Sequence, residues 1–503
     1  MAMKTKIEFK KLKHVLLVSI VFFMFILRAE QKTKDHEIRP RRCDNLDGTQ
    51  GQGCREHQNV QGDSTRREYI TTLPRGRRKC VCEKSSHKLR ARNSFTGRHY
   101  ISVVIFAGAN RLREVGIMIY GLRYSEVPRA KLRVYPGPCD PTPTADVRLF
   151  EVQDFVKKEH PDYVTVSTGI FLPRTSWSVK NLPNRTLIYA LLLIDNVEHA
   201  EISFKSEARW MEENVPIIGT LPLIELALPG THQSGAYSPY VGSIFGEQRG
   251  MIYCQEEDVF TQLLYGIRAL DFRPAAVSKK NSPYNGFEYF IYNGKVPTGN
   301  NLETILEDVK NFLELYTKEF IFIDFSEYAV GFDNQEAYDG LDKLVQAKIG
   351  RYVFPRNNTR LRQAVEKNLQ DLLTGNYRVM LTYANDSKFT ANIFPGVVRL
   401  WYDIPAAADL RYKLQWELHK ERQKYEWFYN AMPQIIPTPS SWWTRLDDKS
   451  AGGFRFRFYD LFVQNANLIS LDYFTSSDIV ELSKLLCTKR AEEKRNRYMP
   501  PFK

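Results

Sequence analysis

Short runs of β-branched and aromatic residues, broken by turns, dominate positions 100–205. Ile101–Phe106, Gly116–Leu122, Lys131–Tyr135, Tyr163–Phe171, Thr186–Ile194 and Glu201–Phe204 each read as a strand. Pro- and Gly-bearing stretches such as Pro136–Pro141 punctuate them. Several short strands at this spacing predict a β-sandwich-like domain over 100–206. No catalytic constellation lies within it, so recognition or packing is its expected role.

From about 210 the period changes. The apolar run Leu221–Leu228 ends in Pro229-Gly-Thr-His-Gln-Ser-Gly-Ala236. Ile267–Phe272 and Tyr289–Tyr292 read as strands. Helical spacing over Leu302–Tyr316 leads into Phe320–Phe325, and two further helices are predicted over 334–349 and 360–373. Then come Arg378–Tyr383, Val397–Trp401, a helix over 406–428, Leu468–Phe474 and a last helix over 476–487. Alternating strand and helix predicts an α/β fold: a parallel sheet closed as a distorted TIM-type (β/α) barrel over 207–488, followed by a polar tail, 489–503.

Composition supports a large core. The 503-residue chain is 43% hydrophobic and 13% aromatic, which excludes a disordered or collagen-like chain. Its net charge of +13 invites a polyanionic partner, but the charge is uneven. Residues 1–30 carry +4 and residues 31–99 carry +9, leaving 100–503 formally neutral. No nucleic-acid partner is expected of the folded bulk. Lys4, Lys6, Lys10, Lys11 and Lys13 precede an apolar stretch, Val15–Leu27. That stretch is shorter than the ~20 residues of a spanning helix, so 1–29 reads as a signal peptide and the chain as secreted or lumenal. An uncleaved signal anchor, tethering the chain to a membrane, is the alternative. Residues 30–99 form a basic, flexible segment holding Cys43, Cys54, Cys80 and Cys82; Cys139, Cys254 and Cys487 lie beyond it. The spacing is poor for zinc, and disulfides are the expected use in a secreted chain, with their pairing open. Asn184, Asn357 and Asn385 head glycosylation triplets. The run Arg75–Lys79 suits a polyanion or an anionic membrane surface, or is simply a solvated charge run.

In a barrel, chemistry sits at the C-terminal ends of the strands. His232 follows the first strand, Asp271 and Arg273 end the second, Asn293 ends the third, Asp324 and Glu327 the fourth, and Asp472 the last. The last strand of a closed barrel neighbours the first, so Asp472 is placed to orient His232. Arg273 supplies a planar cation for a phosphate. A base, an orienting acid and an anion clamp suit phosphate-ester cleavage better than zinc chemistry, and no metal or other cofactor is expected. Structural alternatives stand beside each assignment: Arg273 pairing only with Asp271 or Asp324, or Asp472 capping the helix that begins near Ser476.

Four stretches together resemble a known family. Leu221–Tyr237, with its Pro-Gly-Thr-His-Gln-Ser core, is similar to the opening of the phosphatidylinositol-specific phospholipase C X domain. Gly266–Arg273, Phe320–Glu327 and Asn467–Phe474 resemble later strands of that domain, in the right order. The pattern is most similar to animal X-domain-containing proteins that carry an upstream β-rich domain and lack calcium-binding modules. The resemblance implies attack of the inositol 2-hydroxyl on phosphorus, His232 as general base, Asp472 as its orienting carboxylate and Arg273 as the phosphate-stabilising cation. Ala269-Leu-Asp271 replaces the Glu-x-Asp of calcium-using relatives, so the resemblance implies a metal-independent site.

Two positions depart from the family. Where it carries a second His, this chain has Tyr292-Asn293-Gly294, and where it often carries Asp after the first His, this chain has Gln233. In relatives that pair forms the general acid. Amides hydrogen-bond but yield no proton near neutral pH, so weak or absent turnover is expected, with Tyr292 or Glu327 as substitute acids. The expected partner is an inositol phospholipid or inositol phosphate, met either by an enzyme or by a non-catalytic binding protein; a polyanion-binding role for 31–99 is the third reading. Asp271, Asp324, Glu327 and Tyr292 are the further binding candidates. Trp427–Tyr429 and Trp442-Trp443 suit a lipid interface or a packed loop.

Overall fold

Two antiparallel sheets form the region before the barrel. Its strands are β1 (Tyr100–Ile105), β2 (Glu114–Tyr120), β3 (Ala130–Pro136), β4 (Arg148–Glu151), β5 (Tyr163–Phe171), β6 (Ile188–Ile194) and β7 (Val197–Phe204). They are ordered β1-β2-β5 and β4-β3-β6-β7. Alternation drives the pairing: along β5 every second side chain is buried, and Val164 and Val166 share one core with Ile117, Ile119, Leu132, Val134, Ala190 and Leu192. Both sheets thus contribute to one continuous buried core. β4 escapes the sequence pattern because it is an edge strand with exposed or half-buried side chains.

The computed structural model describes residues 99–106, 113–137, 147–156, 163–172, 186–237, 252–355, 363, 365–384, 386–389, 394–402, 404, 407–422, 428–433 and 466–498. These all lie in the unit Arg77–Lys503. The expected leader, Cys43, Cys54, Cys80, Cys82, Cys139, the triplets at Asn184, Asn357 and Asn385, and Trp427, Trp442 and Trp443 lie outside the described residues.

The second region is α/β. Its strands continue as β8 (Leu228–Thr231), β9 (Ala269–Phe272), β10 (Pro274–Ser278), β11 (Phe287–Asn293), β12 (Val296–Asn301), β13 (Ile321–Phe325), β14 (Val379–Tyr383), β15 (Phe394–Pro395), β16 (Val398–Leu400), β17 (Tyr429–Ala431) and β18 (Leu468–Leu471). Eight of them make one parallel sheet, ordered β15-β14-β13-β9-β8-β18-β17-β16. The sheet curls so that the last strand, β18, pairs with the first, β8, through Leu471↔Thr231. No pairing closes β15 onto β16 among the described residues, so the barrel is open there.

The sequence reading needs correction in four places. Tyr289–Tyr292 is not a barrel strand: β11 belongs to a separate antiparallel sheet, β10-β11-β12, and the lane beside β9 goes to β13. Pro274 follows Arg273 and has no N–H to give a ladder, which favours the chain leaving the barrel at that point. The helix expected over 360–373 is interrupted: Gln363 and Val365 are helical, Glu366–Asn368 are not, and a helical turn runs again from Leu369 to Thr374. The helix of 406–428 ends at Arg422, and β17 follows it. The last helix runs from Ile479 to Tyr498, because its charged C-terminal half has no Gly or Pro to stop it. Among the described residues no helix is long and apolar enough to cross a membrane.

Beneath the barrel the buried Arg268 ties the helix Trp210–Ile218 to the sheet. Its Nε and Nη2 donate to Glu319 Oε2 at 2.8 and 2.6 Å, and its remaining donors reach the carbonyls of Leu263, Ile267, Glu207 and Ala208. Trp210 and Phe312 lie against the guanidinium.

Candidate active site

The β8–β18 pairing decides the site. Thr231 and Leu471 are opposite each other, so the next residue on each chain, His232 and Asp472, emerges side by side at the strand ends. His232 Nδ1–H donates to Asp472 Oδ1 at 2.7 Å, and both side chains are buried. A carboxylate offers only acceptors here and a guanidinium only donors, so the partners assign the tautomer: the proton is on Nδ1 and the lone pair on Nε2. That lone pair accepts from Arg273 Nη2 at 2.8 Å. The Trp401 ring lies over the imidazole, with centroids 4.6 Å apart.

Asp271 and Arg273 sit two residues apart at the end of β9 and so project to the same side. Arg273 Nη2 lies 3.7 Å from Asp271 Oδ2, and its Nη1 lies 3.2 Å from Glu327 Oε2. Asp271 Oδ2 also accepts from the backbone N–H of Gln233 at 3.0 Å. Burial works upward on the Asp271 carboxyl, yet Arg273, His232, Arg399 and that backbone donor together hold it below its usual value. In register beside Asp271 stands Asp324, whose Oδ1 accepts from Thr382 Oγ1 at 2.8 Å. Burial pushes Asp324 up to about 6 against the pull of Arg399, and Asp271 adds to the rise.

A pocket of about 440 Å³ opens over these groups, lined by His232, Gln233, Arg273, Asn293, Glu327, Arg399, Trp401 and Asp472 together with Cys254 and Met432. Gln233 Nε2 donates to Asn293 Oδ1 at 3.1 Å, so the two expected amides do meet. Asn293 reaches the pocket from β11, outside the barrel. Asn293 Nδ2 donates to Ile252 O at 3.0 Å. Gln233 holds φ 44°, a left-handed conformation fixed by the tight turn after β8. Asp271 and Asp324 lie behind the pocket wall rather than on it. Tyr292, one residue from Asn293 on an extended strand, belongs to the opposite face and is not part of the lining.

Four lining residues had no site role in the sequence reading: Arg399, Trp401, Cys254 and Met432. Arg399 interrupts the apolar strand Val397–Trp401, which was a usable signal; its Nη2 donates to Ser326 O and its Nε lies 3.5 Å from Asp324 Oδ2. Trp401 ends the same strand. Cys254 carried no signal. Burial and the neighbouring Asp472 push its thiol well up, so it is a poor nucleophile. Cys254 Sγ, a His232 ring nitrogen and an Asp472 oxygen lie within 4.8 Å of one another. His232 Nδ1 and Asp472 Oδ1 are already bonded to each other and the Arg273 cation faces the same imidazole, so the trio fits a hydrogen-bonded cluster better than a resident cation.

No family model matches the chain. Over 266 residues it is 27% identical to PI-PLC X domain-containing protein 3 of Danio rerio, a match spanning 47% of this chain and 77% of that protein. The protein of the same name from Bos taurus is 26% identical over 263 residues, spanning 46% and 75%. This chain is thus similar in sequence to the PI-PLC X domain-containing proteins. Among solved structures, the phosphatidylinositol-specific phospholipase C from Listeria monocytogenes superposes with a TM-score of 0.42 at 17% identity, over 56% of this chain and 98% of that one. A Staphylococcus aureus counterpart gives 0.42 at 15% identity, over 56% and 97%.

Proposed function

We propose that the pocket binds the inositol phosphodiester head group of phosphatidylinositol-type lipids and turns it over weakly or not at all. The observation that carries this is the grouping of His232, Asp472 and Arg273 around one pocket, beside an amide pair where relatives have an acid. His232 Nε2 would take the proton of the inositol 2-hydroxyl while Asp472 holds the ring. The hydroxyl oxygen then forms the new bond to phosphorus, and the bond from phosphorus to the glycerol oxygen breaks. Arg273 would leave Nε2 and bind the phosphoryl oxygens. Glu327 and Arg399, on the wall, suit ring hydroxyls.

The departing alkoxide needs a proton, and Gln233 and Asn293 have none to give. General acid help is worth about 10²–10⁴-fold, so the natural lipid should be a poor substrate. An analogue whose leaving group departs without a proton should escape that penalty. The test compares phosphatidylinositol vesicles with a soluble inositol phosphate ester of an acidic phenol, using wild type and His232→Ala. Cleavage of the phenol ester alone, lost in His232→Ala, supports the reading. Rapid His232-dependent cleavage of the natural lipid would show that another group supplies the proton. If neither substrate reacts but myo-inositol 1-phosphate binds, the protein is a binder of the head group. The signal-like leader and glycosylation triplets support the further proposal that it meets this ligand in the secretory pathway or outside the cell.

A further inference from the structure

The segment Tyr253–Glu257 is threaded between the two strand ends that carry the site. The backbone N–H groups of Cys254 and Gln255 donate to Ala236 O at 2.8 and 3.1 Å, just beyond the His232 turn. Cys254 O accepts from Tyr473 N at 2.8 Å, next to Asp472. Tyr473 OH donates to Tyr253 O at 2.5 Å. The fully buried Gln255 side chain donates from Nε2 to both His232 O and Leu471 O, each at 2.8 Å. One amide thus grips the residue that carries the imidazole and the residue preceding Asp472. Immediately upstream, Ile252 O accepts from Asn293. His232, Asp472 and Asn293 are all braced by this one short stretch.

Its far end is held from outside the barrel. Arg113, at the entry to β2 in the β-rich region, is 6% exposed. Its Nη1 pairs with Glu257 and lies 3.5 Å from Glu256 Oε2. On its own side, Arg113 Nε donates to Leu172 O at 2.6 Å, just past β5. Both glutamates are buried, so without this guanidinium two like charges would stand side by side in a desolvated place. The planar fork matters as much as the charge, because one side chain serves the Leu172 carbonyl and two carboxylates at once. A second link runs from Ser476 Oγ to Ile105 O at 3.2 Å, again joining the β-rich region to the loop after Asp472.

We infer that Arg113 is a positioning residue for the His232–Asp472 pair. Through Glu256 and Glu257 it fixes the Tyr253–Glu257 brace, and the β-rich region is thereby a working part of the site rather than a separate recognition module. The inference rests on reading that pair as the working centre. It does not require turnover.

The test uses the full chain with Arg113→Met, Arg113→Lys and, as a control in the same region, Lys131→Met, which removes an exposed pair with Glu151. Three quantities are measured: affinity for myo-inositol 1-phosphate by calorimetry, solvent exchange of the His232 Nδ1–H proton by NMR with ¹⁵N-histidine, and the melting temperature. Arg113→Met is expected to weaken affinity about tenfold, in the range of coupling through a packed network, and to speed exchange of the Nδ1–H proton. Arg113→Lys, which keeps the charge and loses the fork, should show both changes in smaller measure, and Lys131→Met neither. If Arg113→Met merely melts earlier, with affinity and exchange as in wild type, Arg113 is only domain glue and the inference fails. If Arg113→Met does not fold, Arg113→Lys decides, and wild-type exchange and affinity in it would overturn the proposal. If the wild type does not bind inositol phosphate, the ligand assignment fails, while the Nδ1–H exchange still decides whether Arg113 positions the pair.

Discussion

Arg273 Nη2 sits 2.8 Å from His232 Nε2, so the guanidinium caps the ring nitrogen that carries the lone pair. On the proposed reading, an anion that draws the guanidinium away would also uncover that lone pair.

Both ends of the Arg273 fork are occupied, Nη1 by Glu327 and Nη2 by His232, and a lysine cannot serve two partners in that geometry. Arg273→Lys should weaken myo-inositol 1-phosphate binding by about 1.5–3 kcal/mol, the worth of a charge-assisted hydrogen bond. Calorimetry against wild type checks this. Unchanged affinity would remove Arg273 from the ligand site.

On the proposed reading, the Gln233–Asn293 amide contact stands where a proton donor would be needed. The double substitution Gln233→Asp with Asn293→His should raise cleavage of phosphatidylinositol vesicles by up to about 10²–10⁴-fold. Asp is well suited to the left-handed φ of 44° at position 233. Product release from vesicles is the readout, with His232→Ala added as the control that should abolish the gain. No gain in a folded double variant would mean that more than the acid is lost.

Asp324 predicts a pH effect on stability. Its carboxyl is raised from 3.8 to about 6 in the fold, chiefly by burial. Between those values the native chain holds a proton that the unfolded chain has released, so this group's contribution is full below the unfolded value and is lost as pH rises through about 6. Relative to Asp324→Asn, wild type should lose about 2 kcal/mol between about pH 4.5 and about pH 7, taking ~1.4 kcal/mol per unit. Urea unfolding of both proteins across that window measures it, and a pH-independent difference would contradict the assignment.

Arg268 and Glu319 form a fully buried pair beneath the barrel. Arg268→Met keeps much of the volume but leaves Glu319 without its cation and frees several carbonyls. A loss of about 3–5 kcal/mol is expected, seen as a lower urea midpoint. Replacing both partners by apolar residues should recover part of it. A loss under 1 kcal/mol in the single variant would show that water reaches the carboxylate.

Much of this was legible from pattern alone. Strands of alternating or continuous apolar residues occur close to where their periods place them, and His232, Asp271, Arg273, Asp324, Glu327 and Asp472 fall at or just beyond strand ends because apolar runs stop where the sheet stops. What pattern missed lies where pairing is not periodic. β4 is an edge strand without apolar alternation, β17 is three residues long, and β11 has a strand's composition but was claimed by a different sheet once Pro274 followed Arg273. Tyr292 and Asn293 look equivalent in sequence, yet a strand turns adjacent side chains to opposite faces, so only one reaches the pocket.

By itself the sequence determined the two fold classes, the order of the strands along the chain and the chemical types available at the mouth, because hydrophobic period and residue chemistry are local properties. Tertiary structure alone decided which of those groups meet. The β8–β18 pairing sets His232 against Asp472 across 240 positions of chain. Curling of the sheet brings Arg399 to Asp324, and packing of the β-rich region brings Arg113 to Glu257. None of these distances is encoded within a window of sequence; each follows from burying two apolar faces against each other, which fixes the register of every polar group at their edges.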